Sequence, residues 1–168
     1  MNPYLGYSFS VPDTWIDING HMNAQYYYII LYNAGVDFAT HLGMGPGMPA
    51  RCGRSQVVVE THTHFERETL LGDELVVHSL IVDFDRKRLH FLHQLHNATR
   101  GYRSATMEQL QLHIDSARHK TADFSPDLLA NFEATMALQG PVPPPSDIGR
   151  QILLKRHVER ERAIEAAV

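Results

Sequence analysis

Apolar positions recur along this chain with two different periods, and the change of period divides it. From Asn23 to Gly43 the stretch NAQYYYIILYNAGVDFATHLG has no proline, and Tyr27, Ile30, Leu31, Ala34, Phe38 and Leu42 fall three or four residues apart. That spacing places them on one stripe of a helix of about five turns, ended by the next glycine-rich segment. The bulk of Tyr26, Tyr27 and Tyr28 together predicts that more than one face of the first turn is covered. From Ser55 to Asp115 the period falls to two. In VVVETHTHFE, Val57, Val59, Thr61, Thr63 and Phe65 share one strand face, and Val58, Glu60, His62, His64 and Glu66 the other. LLGDELVVHSLIVDF turns at Gly72 and Asp73 and then runs β-branched, and the charged knot Asp85 to Arg88 separates it from LHFLHQLHN. After the turn ATRGYRS, Met107, Gln109, Gln111 and His113 alternate with Glu108, Leu110, Leu112 and Ile114.

The flanks are shorter. An extended entry, Tyr4 to Val11, is broken by Pro12 and Asp13. SPDLLANFEATMAL has Ser125 as a cap, Pro126 at the first helical position and Asp127 in the first turn, which predicts a short helix. GPVPPPSD reads as a stiff extended linker, and IGRQILLKRHVERERAIEAAV as an extension that docks on a partner subunit or stays mobile. One domain over residues 1–138 and a linker with a C-terminal extension over 139–168 are expected. A long helix followed by four consecutive strands predicts a two-layer α+β fold, with the helix as the inner layer of a curved antiparallel sheet.

Composition narrows the function. A chain of 168 residues is long enough for one domain with a real core, and its formal charge of −4 gives no general reason to bind nucleic acid or an anionic membrane. No apolar run approaches the roughly 20 residues needed to span a bilayer, and the N-terminus lacks the basic start and apolar stretch of a signal peptide. A cytoplasmic protein is expected. With Cys52 the single cysteine, an intrachain disulfide and a cysteine zinc site are excluded. In GMGPGMPARCG it reads as an unreactive loop thiol without a helix.

The densest polar cluster is DINGHMN, Asp17 to Asn23, just before the long helix. Free backbone N–H groups and the positive end of the helix dipole converge there, so the first turn can stabilise negative charge developing on an acyl oxygen. The same residues also fit a plain turn, with Asn23 as the N-cap and Gly20 at positive φ. Local pattern leaves both open.

Asp17-Ile18-Asn19-Gly20-His21-Met22-Asn23, with Tyr27 following, resembles the signature of hotdog-fold thioesterases of the 4-hydroxybenzoyl-CoA thioesterase-like superfamily, and its D-x-N-x-H order resembles that of plant acyl-carrier-protein thioesterases. FERETLLGDEL, DRKRLHFLHQLHN, ATMEQLQLHID and FSPDLL are similar to the betainyl-CoA thioesterases, stand-alone or fused to carnitine dehydrogenases, so the likeness runs from about Val11 to Phe132. Ala24-Gln25 departs from it where many relatives have a second Asn. The resemblance implies a helix wrapped by a sheet, a homodimer or dimer of dimers with sites at the subunit interface, and hydrolysis of an acyl-CoA thioester in carnitine degradation, with carnitine dehydrogenase as a functional partner. It needs no cofactor, since CoA is part of the substrate.

On that resemblance Asp17 is the general base or the nucleophile, Asn19 positions the water or the carboxylate, and His21 moves a proton or orients the loop. N–H groups around Asn23 and Ala24 receive the oxyanion. A quaternary ammonium on the acyl group calls for aromatic faces, which Trp15, Tyr26, Tyr27 and Tyr28 flank the motif to supply. Arg86, Lys87 and Arg88 are candidates for the CoA phosphates. Glu68 and Glu108, with Glu60 and Glu66, are secondary carboxylates: Glu68 to reach a neighbouring subunit's site, Glu108 because it faces a strand's apolar side and needs a partner. His62 and His64 share one strand face and His90 and His96 another, but without an HExxH or carboxylate pattern no metal is expected. The alternatives are a broad short-chain or aromatic acyl-CoA thioesterase, a hotdog hydratase or dehydratase, and a non-catalytic acyl-CoA-binding module.

Overall fold

A computed structural model of the chain describes residues 2–141 and Gly149. Its elements are β1 (Tyr4–Ser10), a 3-10 turn (Asp13–Trp15), α1 (Ala24–His41), α2 (Met48–Cys52), β2 (Arg54–Phe65), β3 (Glu74–Phe84), β4 (Arg88–Asn97), β5 (Tyr102–Asp115), β6 (Lys120–Thr121) and α3 (Pro126–Gln139). The strands form one antiparallel sheet in the order β1-β3-β4-β5-β2, with β6 added to β5. This is the expected α+β architecture, in which consecutive hairpins run from β3 to β5 and the chain returns β2 to the far edge.

The stripe on α1 explains how helix and sheet meet. Tyr27, Ile30, Leu31, Ala34, Phe38 and Leu42 are all buried. The N-terminal half of the stripe packs with Leu75, Val77, Leu95 and Met107, and the C-terminal half with Ile81, Leu89, Phe91 and Phe132 of α3. Each fully buried large side chain contributes roughly 1.5–3 kcal/mol. At Gly35 the helix comes so close that an added Cβ would lie 2.7 Å from Gln109 Oε1. A side chain at position 35 would push α1 off the sheet.

Three details differ from the expected pattern. A bulge between Val58 and Glu60 inserts a residue in β2, so Val57 pairs with Leu112 while Thr61 pairs with Gln109 on the opposite face. The single alternation expected from Val57 to Phe65 is therefore split at Val59. Met48–Cys52 forms a short helix with Pro49 in its first turn and Gly53 at φ 66° closing it, so Cys52 ends a helix where a loop was expected. Finally, α3 runs to Gln139, one residue past the expected boundary, and the buried Gln139 amide accepts from Ile81 N–H at 3.0 Å and donates to Ile81 O at 2.6 Å. The expected linker and extension otherwise lie outside the described residues, apart from residues 140, 141 and 149.

The polarity of β5 is inverted. Gln109, Gln111 and His113 face the helix and are nearly fully buried, whereas Leu110, Leu112 and Ile114 are half-buried on the outer face. Among the described residues no helix is long and apolar enough to cross a membrane.

One buried carboxylate clasps the turn before β3 to the end of β4. Asp73 is 2% exposed; it accepts from Asn97 Nδ2 at 2.7 Å, from Arg100 Nε at 2.8 Å and from Leu70 N–H at 2.9 Å. Burial works against the charged form, but these donors outweigh it and hold the carboxyl below its ordinary value. Asp73→Asn is expected to cost about 2 kcal/mol near neutral pH. Because the folded-state pKa is lowered, this increment is present above the unfolded value and is lost as pH falls through the folded one. Urea titrations should show a constant gap between native protein and variant from about pH 7 to 5 that closes below about pH 4.

Candidate active site

The Asp17 loop is a tight reversal closed by backbone bonds. Ile16 and Met22 form an antiparallel bridge, Asp17 N–H donates to His21 O at 3.0 Å, and Gly20 N–H donates to Asp17 O at 3.0 Å with Gly20 at φ +79°. Inside the reversal Asp17 Oδ1 accepts from Asn19 N–H at 2.8 Å, which fixes the carboxylate. His21 Nδ1 lies 4.0 Å from the same oxygen. Asn23 is the N-cap of α1: its Oδ1 accepts from Gln25 N–H at 3.1 Å, and its own N–H donates to Trp15 O at 2.9 Å. The next donor, Ala24 N–H, makes no hydrogen bond among the described residues. It lies in the first turn, at the positive end of the helix dipole.

The loop is held from behind by the segment that joins β2 to β3. Met22 N–H donates to Thr69 O at 2.9 Å, and the Thr69 hydroxyl lies 3.2 Å from the Tyr27 hydroxyl. Thr69 is fully buried, and burial raises the Tyr27 pKa. On the other side Glu66 and Arg67 N–H both donate to Ser104 O.

These contacts enclose an open cleft of about 350 Å³. Asp17, His21, Asn23, Ala24 and Tyr27 line one wall, and Phe65 to Glu68 the other. Glu68, expected to reach a neighbouring subunit, lines the cleft of its own chain. Glu66 is paired with Arg103 at 2.7 Å. Phe65 meets Tyr27 edge-on, with ring centroids 5.3 Å apart, and the Arg67 guanidinium lies 5.1 Å from the Tyr102 ring. Phe65 and Arg67 were not singled out in the sequence. Phe65 read only as a strand residue, and FERETLLGDEL shows its role once the end of β2 meets the start of α1.

Other expected residues lie elsewhere. Asn19 stands at the exposed loop tip and meets Asp17 through its backbone. Trp15 and Tyr26 stack on each other at 4.8 Å and 10°, and Tyr28 stacks on Tyr32 along an exposed helix face, so with the buried Tyr27 these rings do not enclose a common space. Arg86, Lys87 and Arg88 sit in a separate cleft with Leu112, at the opposite end of β5, where Arg86 and Lys87 pair with Asp123 and Arg88 with Asp85. Glu108 lies on the outer face, where it has partners: His90 Nε2 at 3.1 Å, His62 Nδ1 at 4.0 Å and Gly149 N–H at 2.9 Å. Glu60 is exposed. Among the described residues no group of three or more His, Cys, Asp or Glu is placed to hold a metal ion.

A carboxylate, an imidazole and a first-turn N–H on one cleft wall suit attack on a carbonyl whose oxygen becomes negative. The profile of the Thioesterase-like superfamily matches residues 11–132. The chain is 30% identical over 146 residues to the betainyl-CoA thioesterase of Pseudomonas aeruginosa, covering 87% of this chain and 92% of that protein. It is 30% identical to the L-carnitine dehydrogenase/betainyl-CoA thioesterase of Rhizobium meliloti over 84% of this chain and 28% of the longer one. Among solved structures, a Staphylococcus aureus protein in complex with CoA superposes with a TM-score of 0.84 at 24% identity, covering 92% of this chain and 98% of that one. A candidate thioesterase from Pseudomonas putida KT2440 gives 0.78 at 29% identity, with the same coverage of 92% and 98%.

Removing the Thr69 hydroxyl should loosen the back wall. Thr69→Val is expected to cost about 1–2 kcal/mol in urea unfolding, because it strips a partner from the buried Tyr27 hydroxyl. In a Tyr27→Phe background the same change should cost less, with a coupling of about 0.5–1 kcal/mol. Strict additivity would mean that the two hydroxyls do not act as a pair.

Proposed function

The chain belongs to the Thioesterase-like superfamily, and from that premise we propose that it hydrolyses a small acyl-CoA, betainyl-CoA first, to the free acid and CoA. It is a thioester hydrolase; the acyl group is the finer part of the proposal. The observation that carries it is the joint presence of the Asp17 carboxylate and the Ala24 N–H on one cleft at the start of α1.

The thioester carbonyl oxygen points at Ala24 N–H. Asp17, fixed by Asn19 N–H, takes a proton from water as the water oxygen bonds to the carbonyl carbon. The oxyanion formed is held by the first turn, and its collapse breaks the C–S bond and releases the thiolate, which recovers the proton through Asp17 or His21. In the covalent variant Asp17 itself bonds to the carbonyl carbon and the C–S bond breaks to expel the CoA thiolate; water then adds to the anhydride, its cleavage frees the acid and restores the Asp17 carboxylate, and the protons released go to the thiolate and to solvent. A trimethylammonium donates no hydrogen bond, so it would rest between Tyr27 and Phe65, with the Glu68 carboxylate on the Phe65 wall supplying opposite charge.

A broader acyl-CoA thioesterase is the second reading, favoured by the mutual stacking of Trp15 and Tyr26 away from the cleft. A second copy of the chain fits the free edge of β2, beside which Val57, Val59, Tyr32 and Val36 are exposed. The fused relatives support a carnitine dehydrogenase as functional partner.

Asp17→Asn is expected to lower kcat for CoA release by about 10²- to 10⁴-fold with the fold intact by circular dichroism. Near-native turnover would take Asp17 out of the chemistry. Betainyl-CoA should exceed its uncharged isostere, 3,3-dimethylbutyryl-CoA, by about tenfold in kcat/KM. Equal values would favour the broader enzyme.

A further inference from the structure

Three charged residues in succession, Glu66, Arg67 and Glu68, line the Phe65 wall of the Asp17 cleft. Glu66 is neutralised by Arg103 at 2.7 Å. Arg67 and Glu68 are neighbours of opposite charge, yet among the described residues neither side chain forms an ion pair, with the other or with a third group. The Arg67 guanidinium rests instead on the Tyr102 ring, 5.1 Å from its centroid. The Tyr102 hydroxyl donates to Glu68 O at 2.8 Å. One side chain at the start of β5 therefore holds residue 67 by its guanidinium and residue 68 by its backbone.

Arg67 is the one Lys or Arg that lines this cleft among the described residues. A guanidinium beside an unpaired carboxylate ordinarily folds onto it, because the forked donors match the two oxygens. The face of Tyr102 supplies the alternative, since a ring attracts a cation within about 6 Å of its centroid. Arg100, a second cation near Glu68, is held by Asp73 at 2.8 Å. Glu68 is thus left as a carboxylate without a counter-charge, on a cleft whose other wall carries Tyr27. Burial is the larger cause of the raised Tyr27 pKa and the Glu68 charge adds to it, so the field of this carboxylate reaches that ring.

We infer that Tyr102 sets the charge preference of the cleft: by holding Arg67 on its ring, it keeps the Glu68 carboxylate open to a cationic acyl group. The inference rests on the acyl-CoA reading above and adds to it a residue outside the cleft lining. Tyr102 is a positioning residue, since it acts through Arg67 and Glu68. Released from the ring, the guanidinium would pair with Glu68 and present its own positive charge to the incoming group. The cleft would then repel a quaternary ammonium instead of attracting it.

The test compares the native chain with Tyr102→Phe, Tyr102→Leu and Tyr102→Leu/Arg67→Gln, each checked for folding by thermal melting. The readout is kcat/KM for betainyl-CoA divided by kcat/KM for 3,3-dimethylbutyryl-CoA. Tyr102→Phe keeps the ring face and should hold the native preference within about twofold. Tyr102→Leu should lower the preference about tenfold while the uncharged substrate stays within about twofold of native. Removing the guanidinium as well should restore the preference, which a merely loosened wall would not do. Saturation-transfer NMR with tetramethylammonium, against tert-butanol as the uncharged control, follows the same proteins without hydrolysis: binding should be lost in Tyr102→Leu and regained in the double variant. An unchanged preference in Tyr102→Leu, a double variant no better than the single one, or native protein that does not bind tetramethylammonium overturns the inference. The full pattern of tetramethylammonium binding in a protein that hydrolyses no thioester keeps this inference and sinks the catalytic one. Hydrolysis without the pattern does the reverse.

Discussion

The contact between Met22 and Thr69 decides whether the Asp17 loop has a fixed shape. Its two partners are far apart in the chain, and the backbone bond of 2.9 Å joins the loop before α1 to the segment after β2. The Thr69 hydroxyl reinforces it against Tyr27 in the first turn of the helix. Leu70, the next residue, is tied to the Asp73 turn: its N–H donates to Asp73 Oδ2 at 2.9 Å, and Asp73 N–H donates to Leu70 O at 3.1 Å. The cleft is therefore bounded by two loops that fix each other, each anchored in the sheet. A carboxylate on an untethered loop would lose most of the advantage that a held geometry gives a reacting group.

The turn seen in DINGHMN and the catalytic proposal for it draw on one set of bonds. Asn23 caps α1, Gly20 takes positive φ, and Asp17 closes an Asx turn on Asn19 N–H, as a structural motif would. Each bond also has a chemical consequence. The cap consumes Gln25 N–H and leaves Ala24 N–H without a partner among the described residues, and the Asx turn fixes the carboxylate of Asp17; both residues line the cleft. Local structure and reactivity therefore need not compete for these residues.

What could be read from the sequence was whatever depends on neighbours along the chain. The stripe from Tyr27 to Leu42, the Ser125 cap and the four consecutive strands are local patterns, and the structure contains each of them. The bulge at Val59 was hidden because a single inserted residue changes no composition, only register. The pairing of Phe65 with Tyr27 and the partners of Glu108 depend on contacts across the sheet and its edge, which one dimension does not carry. Proximity in sequence also misled at Trp15 and Tyr26, which flank the motif but spend a face of each ring on one another. The buried amides of β5 did show in the alternation, as polar residues on one strand face, but nothing local says that this face is the inner one.

The central claim is geometrical: the thioester carbonyl sits between the Asp17 carboxylate and the start of α1. A crystal structure with a dethia analogue of betainyl-CoA, in which a methylene replaces the sulfur and blocks hydrolysis, tests it most directly. The account predicts the analogue's carbonyl oxygen within hydrogen-bond distance of Ala24 N–H and its carbonyl carbon facing Asp17. A carbonyl bound away from both groups would contradict it.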